Sequence, residues 1–293
     1  MDAVAPSTVA QRSVPILAHD RIARDTYRLR LGDPILARAI RPGQFVMIRP
    51  TDGPDPLLGR PFALYDVATD DSGAVIGFDV VYLVVGRGTA KLAERRVGDR
   101  LNLWGPLGNG FGPPPKGEGE ILFVAGGIGQ TPFLALGRWW TGQMTYGQPT
   151  ATVANALTTL LYGVRSADLA AGLDDFRAAG IGLEIATDDG SLGHQGYVTD
   201  LLRRRLEQGR RPIKVVGCGP APMLRALSKI VENYALDVDL SLENHMACGF
   251  GACFSCVAPI RQDDGSSDLR RVCVEGPIFP ASRVVWDSTA LPS

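Results

Sequence analysis

Four cysteines crowd the C-terminal part of the chain: Cys248, Cys253, Cys256 and Cys273. The first three read C-x4-C-x2-C, and the fourth follows from farther along. That is the plant-type ligand pattern for a [2Fe–2S] cluster, which carries one electron at a time. Structural zinc is the competing reading. Zinc sites usually show two C-x2-C pairs, or cysteine mixed with histidine, at tetrahedral spacing. Here there is one C-x2-C pair, and Gly249 and Gly251 fill the gap before it. A cluster loop needs such small residues so that backbone N–H groups can point at the sulfides and tune the potential. The spacing therefore favours iron–sulfur. His245 reads as a surface or hydrogen-bonding residue, and His19 and His194 form no constellation.

Two glycine turns form a second kind of site. Gly126-Gly127-Ile128-Gly129-Gln130-Thr131-Pro132 follows an apolar run and opens a helix-like stretch. At the carboxyl end of a strand, such a turn lets the backbone approach a diphosphate next to a helix N-terminus. The spacing is not G-x-G-x-x-G, and tight strand–helix packing is the alternative. Gly217-Cys218-Gly219-Pro220 repeats the arrangement. Cys218 alone reads more readily as a small buried hydrophobe than as a reactive thiol. Asp188-Asp189-Gly190-Ser191 is turn chemistry first.

A third group lies nearer the N-terminus. Arg60-Pro61-Phe62-Ala63 follows Gly59 at a strand start, where an arginine can pair with a phosphate through two parallel hydrogen bonds. Gly86-Arg87-Gly88-Thr89 follows the run Val80 to Val85, and its N–H groups and the Thr89 hydroxyl suit a diphosphate. A surface arginine and a hairpin-like glycine turn are the plainer alternatives.

The elements that must position these residues fall into three stretches. Residues 14–114 read as an N-terminal antiparallel β-barrel: Tyr27–Leu31 and Arg100–Trp104 alternate, and Gln44–Ile48 and Val75–Val85 are strand-like. Pro113-Pro-Pro-Lys-Gly117 is a stiff break. Residues 115–236 then alternate strands and helices, which implies an α/β parallel-sheet nucleotide-binding domain with helices on both faces. Its strands are expected at Ile121–Ala125, Leu160–Val164, Leu183–Ala186 and Ile213–Val216. Its helices are expected up to Trp140 and over Ala167–Ala178, Val198–Leu206 and Pro222–Ala235. Thr141–Thr159, polar and rich in Gly and Thr, reads as a surface insertion. Residues 237–293 form a small C-terminal [2Fe–2S] module. The fold expectation is thus multi-domain.

Bulk properties exclude several classes. The chain has 293 residues, 45% of them apolar, and a net charge of −1 with no basic stripe, so it is no nucleic-acid binder. The longest apolar stretch is broken by glycines and Pro132, short of the ~20 residues a membrane span needs. Met1–Arg12 has no apolar signal core and reads as a ragged lead-in. Five cysteines, four of them bunched, do not make a disulfide framework, so a reducing cytoplasm is expected.

Together these residues resemble one family across nearly the whole chain: the electron-transfer subunits of the NAD-dependent, heteromeric (class 1B) dihydroorotate dehydrogenases, a branch of the ferredoxin–NADP reductase superfamily. The tightest match is Leu242–Cys256, closed by Arg271–Phe279. The 16-residue gap from Cys256 to Cys273 also suits that family. Gly105–Phe111 and the segment from Thr187 through Asp200 match the same subunits. The resemblance implies an FAD barrel, an NAD(H) domain and the cluster. By motif, Arg60, Pro61, Phe62 and Ala63 would hold the flavin ring and phosphate, with Ala63 where the family usually has serine. Val81, Tyr82 and Leu83 would line the ribityl or ring edge, and Gly88 and Thr89 the diphosphate. Gly126, Gly127, Gly129, Thr131, Gly217, Cys218, Gly219 and Pro220 would frame NADH. The implied route is NADH to FAD to [2Fe–2S] to the FMN of a separate dihydroorotate dehydrogenase catalytic subunit, reversed when orotate is made. A related hydrogenase or transhydrogenase-like subunit, a stand-alone reductase and a zinc-stabilised binding module remain alternatives.

Overall fold

The computed structural model describes residues 9–147 and 153–286. The N-terminal strands are β1 (Ala10–Ala23), β2 (Thr26–Leu31), β3 (Phe45–Arg49), β4 (Arg60–Ala63), β5 (Asp66–Thr69), β6 (Val75–Leu83) and β7 (Arg100–Leu107). They form one antiparallel sheet in the order β4-β3-β7-β1-β2-β6-β5. The period-two pattern decides which side faces in: Leu29, Leu31, Leu101 and Leu103 are buried, whereas the intervening Arg28 and Arg30 are partly exposed. The sheet curls until its two edges meet, since only Leu64 and Tyr65 separate β4 from β5. Leu64 N–H donates to Gln44 O (3.0 Å) and Tyr65 N–H to Asp79 O (2.9 Å) across that junction. Helix α1 (Pro34–Ala39) packs Leu36 and Ala37 inside this half-barrel, its N-terminus capped by Asp33 Oδ1. Helix α2 (Arg87–Ala93) follows β6.

The middle sheet begins with β8 (Glu118–Gly126), α3 (Phe133–Trp140), β9 (Asn155–Val164), α4 (Leu173–Ala178), β10 (Gly182–Thr187) and β11 (His194–Gln195). It continues through α5 (Val198–Glu207), β12 (Lys214–Cys218), α6 (Ala221–Glu232) and β13 (Val238–Ser241). After the hairpin β14 (Val257–Arg261) and β15 (Ser267–Arg271), β16 (Ile278–Pro280) returns to the sheet. The order is β11-β10-β9-β8-β12-β13-β16, parallel except for antiparallel β16. Ile121–Ala125 of β8 is wholly buried because both faces are covered. Ile121, Phe123 and Ala125 pack with α3 and the half-barrel. Leu122 and Val124 pack with α5, α6 and the C-terminal segment.

Four expectations need correction. The single helix over Ala167–Ala178 is a short 3-10 turn at Ala167–Leu169 and then α4, because Gly172 between them is left-handed at φ +74°. The described ends of Thr141–Thr159, expected as a surface insertion, belong to the fold: Asn155 onward is β9, paired with β8 from Glu118, and Tyr146 is fully buried with its hydroxyl donating to Asp66 Oδ1. Residues 148–152 of that stretch lie outside the described residues. The cut at Asp237 removes β13 and β16 from the sheet they complete. Finally, β1 already begins at Ala10, inside the expected lead-in, while residues 1–8 lie outside the described residues. No helix among the described residues is long and apolar enough to cross a membrane.

Asn109, just beyond β7, ties the units together. Its N–H donates to Gly276 O (2.7 Å), its Nδ2 to Glu275 O (3.1 Å) and Ile278 O (2.9 Å), and its Oδ1 accepts from Ile278 N–H (3.2 Å).

Candidate functional site

A cleft of about 340 Å³ opens where the half-barrel, the carboxyl ends of the middle strands and the start of the cysteine segment meet. All nine barrel residues singled out from the sequence line it: Arg60, Pro61, Phe62, Ala63, Val81, Tyr82, Leu83, Gly88 and Thr89. Strands β4 and β6 bring the first seven together although they are distant in sequence. Their volume and chemistry suit a cofactor with an apolar ring and a charged tail.

Local hydrogen bonds show what each lining group has left to offer. The Arg60 guanidinium spends Nη1 on the carbonyls of Leu58 (2.9 Å) and Gly59 (3.1 Å), which fixes the group and leaves Nε and Nη2 for an anion. It lies across Gly88, where a Cβ would come within 3.1 Å of Arg60 Nε. The Thr89 hydroxyl donates to Gly86 O (3.1 Å) and accepts from Val85 N–H (3.0 Å) and Gly86 N–H (3.2 Å), so it is engaged inside the turn. Ala63 offers no hydroxyl. Tyr82 turns its hydroxyl away to His19 Nε2 (2.8 Å), whose Nδ1 lies 2.9 Å from Arg95 O, and presents its ring to the cleft. Arg87, on the cleft rim, pairs with Asp55.

The two glycine turns lie side by side, because β8 and β12 are neighbouring parallel strands. Most of these glycines serve packing, the alternative weighed above. A Cβ on Gly219 would reach Gly126 N at 2.9 Å, one on Gly126 would meet Met223 Sδ at 2.6 Å, and one on Gly129 would run into the Cys218 carbonyl. Gly217 is pressed by Leu227, 2.5 Å from such a carbon. Pro220 caps α6. Gly127 differs: it is left-handed at φ +55° and faces open space. Of this set, Thr131 and Cys218 reach the cleft. The Cys218 thiol is pushed well up by burial and by nearby Glu243, so it stays protonated, as the small-hydrophobe reading requires.

Sequence reasoning missed Ser241, Glu243 and Met246, which also line the cleft. Their signal was position, just past β13 at the carboxyl edge of the sheet. Glu243 lines the cleft and its side chain is accessible there, while the protein groups crowded around it desolvate the carboxylate and raise its carboxyl above the ordinary range.

Met246 leads within two residues to Cys248. The cysteine loop is anchored on the half-barrel: Trp104 Nε1 donates to Cys248 O at 2.8 Å, and Gly249 lies against Met47 and Leu107. On its other side Arg271 donates to Gly251 O (3.2 Å), pairs with Glu275 (2.6 Å) and stands 4.9 Å over the Phe254 ring. Two of the four thiols are shifted, in opposite directions. Cys253 is lowered to about 6 by hydrogen bonds from the Ser255 hydroxyl, from the Ser255 and Cys248 amides and from the Cys248 thiol. Cys273 is pushed up to about 12 by burial and by the Cys256 thiol beside it. Among the described residues no group of three such side chains converges for a single metal ion. Four cysteine thiols suit a two-iron, two-sulfide cluster, and the C-x4-C-x2-C spacing is not the doubled C-x2-C usual for structural zinc.

Residues 243–285 match the model of the iron–sulfur cluster binding domain of dihydroorotate dehydrogenase B. The chain is 35% identical to the dihydroorotate dehydrogenase B (NAD(+)) electron transfer subunit of Desulforamulus reducens, over 93% of this chain and 97% of that one. It is 36% identical to the subunit of that name from Enterococcus faecalis, over 94% and 98%. Among solved structures, an NADH-dependent reduced ferredoxin-NADP oxidoreductase studied for flavin-based electron bifurcation aligns with a TM-score of 0.75 and 26% identity, over 98% of this chain and 92% of that one. The cytochrome P450 reductase of Amycolatopsis shares the fold, with a TM-score of 0.61 and 23% identity over 78% and 68%.

Proposed function

The chain belongs to the electron transfer subunits of NAD-dependent dihydroorotate dehydrogenase B, and from that premise we propose how its residues divide the work. It is an oxidoreductase subunit that uses FAD, NAD(H) and a [2Fe–2S] centre. FAD bound here would supply hydride exchange with a nicotinamide and single-electron exchange with the cluster, chemistry that the side chains themselves cannot provide. The observation that carries the reading is adjacency: Met246 lines the cleft, and Cys248, two residues on, is fixed to the half-barrel by Trp104.

Arg60 and the bare backbone at Gly88 receive the diphosphate, with Arg60 held in place by the carbonyls of Leu58 and Gly59. Phe62 and Tyr82 shape the ring pocket, edge to face at 5.7 Å. Gly127, Thr131 and Cys218 receive the nicotinamide end, where the buried, protonated Cys218 excludes water without competing as a nucleophile. Cys248, Cys253, Cys256 and Cys273 would together hold the cluster through their thiolates. The exposed side of that loop, bearing Phe250 and Phe254, faces the FMN-containing dihydroorotate dehydrogenase catalytic subunit. The pathway is pyrimidine biosynthesis and the setting the cytoplasm.

The test is anaerobic purification with flavin, iron and sulfide quantitation, then NADH titration followed in the visible spectrum. Flavin and cluster should bleach together, and a co-expressed FMN subunit should co-purify and reduce orotate. A colourless preparation holding neither flavin nor iron would end the reading.

A further inference from the structure

One side chain outside the ligand set stands against the exposed end of the cysteine loop. Ser255 Oγ lies 3.2 Å from Cys253 Sγ and 3.3 Å from His245 O, and it accepts Ala247 N–H at 3.3 Å. A hydroxyl has one proton and two lone pairs. The amide takes one lone pair, so the proton has two claimants, the His245 carbonyl and the cysteine sulfur. Metal ligation settles the contest. A ligating cysteine is a thiolate with no proton of its own, so its sulfur can only accept. A charged acceptor also holds a donor more strongly than a neutral carbonyl does.

Resting on the assignment of the four cysteines to a [2Fe–2S] cluster, we propose that Ser255 donates its hydroxyl proton to Cys253 Sγ and thereby raises the reduction potential of that cluster. Reduction adds negative charge that spreads onto the sulfurs. A donor fixed beside one of them stabilises the reduced state more than the oxidised state, and hydrogen bonds to sulfur are among the determinants of cluster potential. Ser255 is a positioning residue here, not a ligand. Its own geometry is set by His245 and Ala247, which flank the cleft-lining Met246. The wall of the flavin cleft therefore holds the hydroxyl that touches the cluster ligand.

The full chain, purified anaerobically, is titrated electrochemically with the cluster followed by EPR, as wild type, Ser255→Ala and Ser255→Thr. Cys253 is exposed, so water replaces part of the lost bond in Ser255→Ala. The expected loss is roughly three- to tenfold in the reduction equilibrium, about 30–60 mV lower at 59 mV per tenfold for one electron. Ser255→Thr keeps the hydroxyl and stays near wild type. An unchanged potential in Ser255→Ala overturns the proposal. If Ser255→Ala assembles no cluster, Ser255→Val is read against Ser255→Thr, its isostere that keeps the hydroxyl: a lower potential in the valine variant supports the proposal, and equal potentials overturn it. Wild type lacking iron and sulfide defeats the cluster assignment instead, a separate outcome.

Discussion

The flavin cleft and the cysteine loop lie next to each other in the chain but are built in opposite ways. The cleft is assembled from β4, β6, the turn before α2 and the ends of β12 and β13, elements fixed by two seven-stranded sheets before any ligand arrives. The loop from Cys248 to Cys256 has no regular structure of its own and hangs on a few side chains: Trp104, Arg271 and Ser255. A framework made of strands tolerates loss of one lining residue. A loop fastened at points owes its shape to those points and to the metal it closes on. The two regions should therefore fail separately.

The largest separation is expected from Cys256→Ser. This buried thiol cannot be replaced by solvent, so iron and sulfide should fall to background while flavin stays stoichiometric. Metal analysis beside flavin absorbance reads both. Loss of flavin as well would break the comparison. Next, Arg60→Gln removes charged hydrogen bonds worth about 1.5–3 kcal/mol. FAD affinity should drop roughly ten- to hundredfold, read by fluorescence titration of the flavin-stripped chain, with cluster content unchanged.

The smallest effect sharpens the cleft alone. The Glu243 carboxyl is raised by its surroundings, so the folded chain keeps a proton that the unfolded chain releases near the ordinary value of ~4.3. Its favourable contribution is complete below that value and fades as pH rises through the raised one. Thermal midpoints of flavin-free Glu243→Gln should decline less over that window than those of wild type. Asp66, likewise raised by burial, leaves a residual slope. Equal slopes in the two proteins would remove Glu243 from the account.

Sequence made the cysteines and the barrel motif legible for one reason. Both depend on residue type at fixed spacing, and Arg60–Ala63 with Val81–Leu83 are short runs whose strand neighbours keep them in register. What escaped was relational. Nothing in Gly126-Gly-Ile-Gly129 says that most of its glycines answer to the neighbouring turn at Gly217–Pro220, because that contact depends on strand order. The Thr89 hydroxyl looked free because a turn's internal hydrogen bonds have no signature in composition. Thr141–Thr159 looked like an insertion because the polar beginning of β9 is masked by its Thr and Asn content, although Glu118 pairs with Asn155 there. Glu243 and Ser255 were in view inside the cysteine motif, but their neighbours come from folding.

The antiparallel edge β16 has a consequence for how the chain comes into being. It is hydrogen-bonded to β13, yet the whole iron-binding segment is strung between the two. On the ribosome every cysteine ligand leaves the exit tunnel before the last edge of the nucleotide sheet exists. A nascent chain halted at Gly276 would expose a bare β13 rim beside metal-hungry thiols. The rim of β13 therefore stays open until the whole iron-binding segment has been made, and any truncation inside that segment should yield chains prone to edge-on clumping.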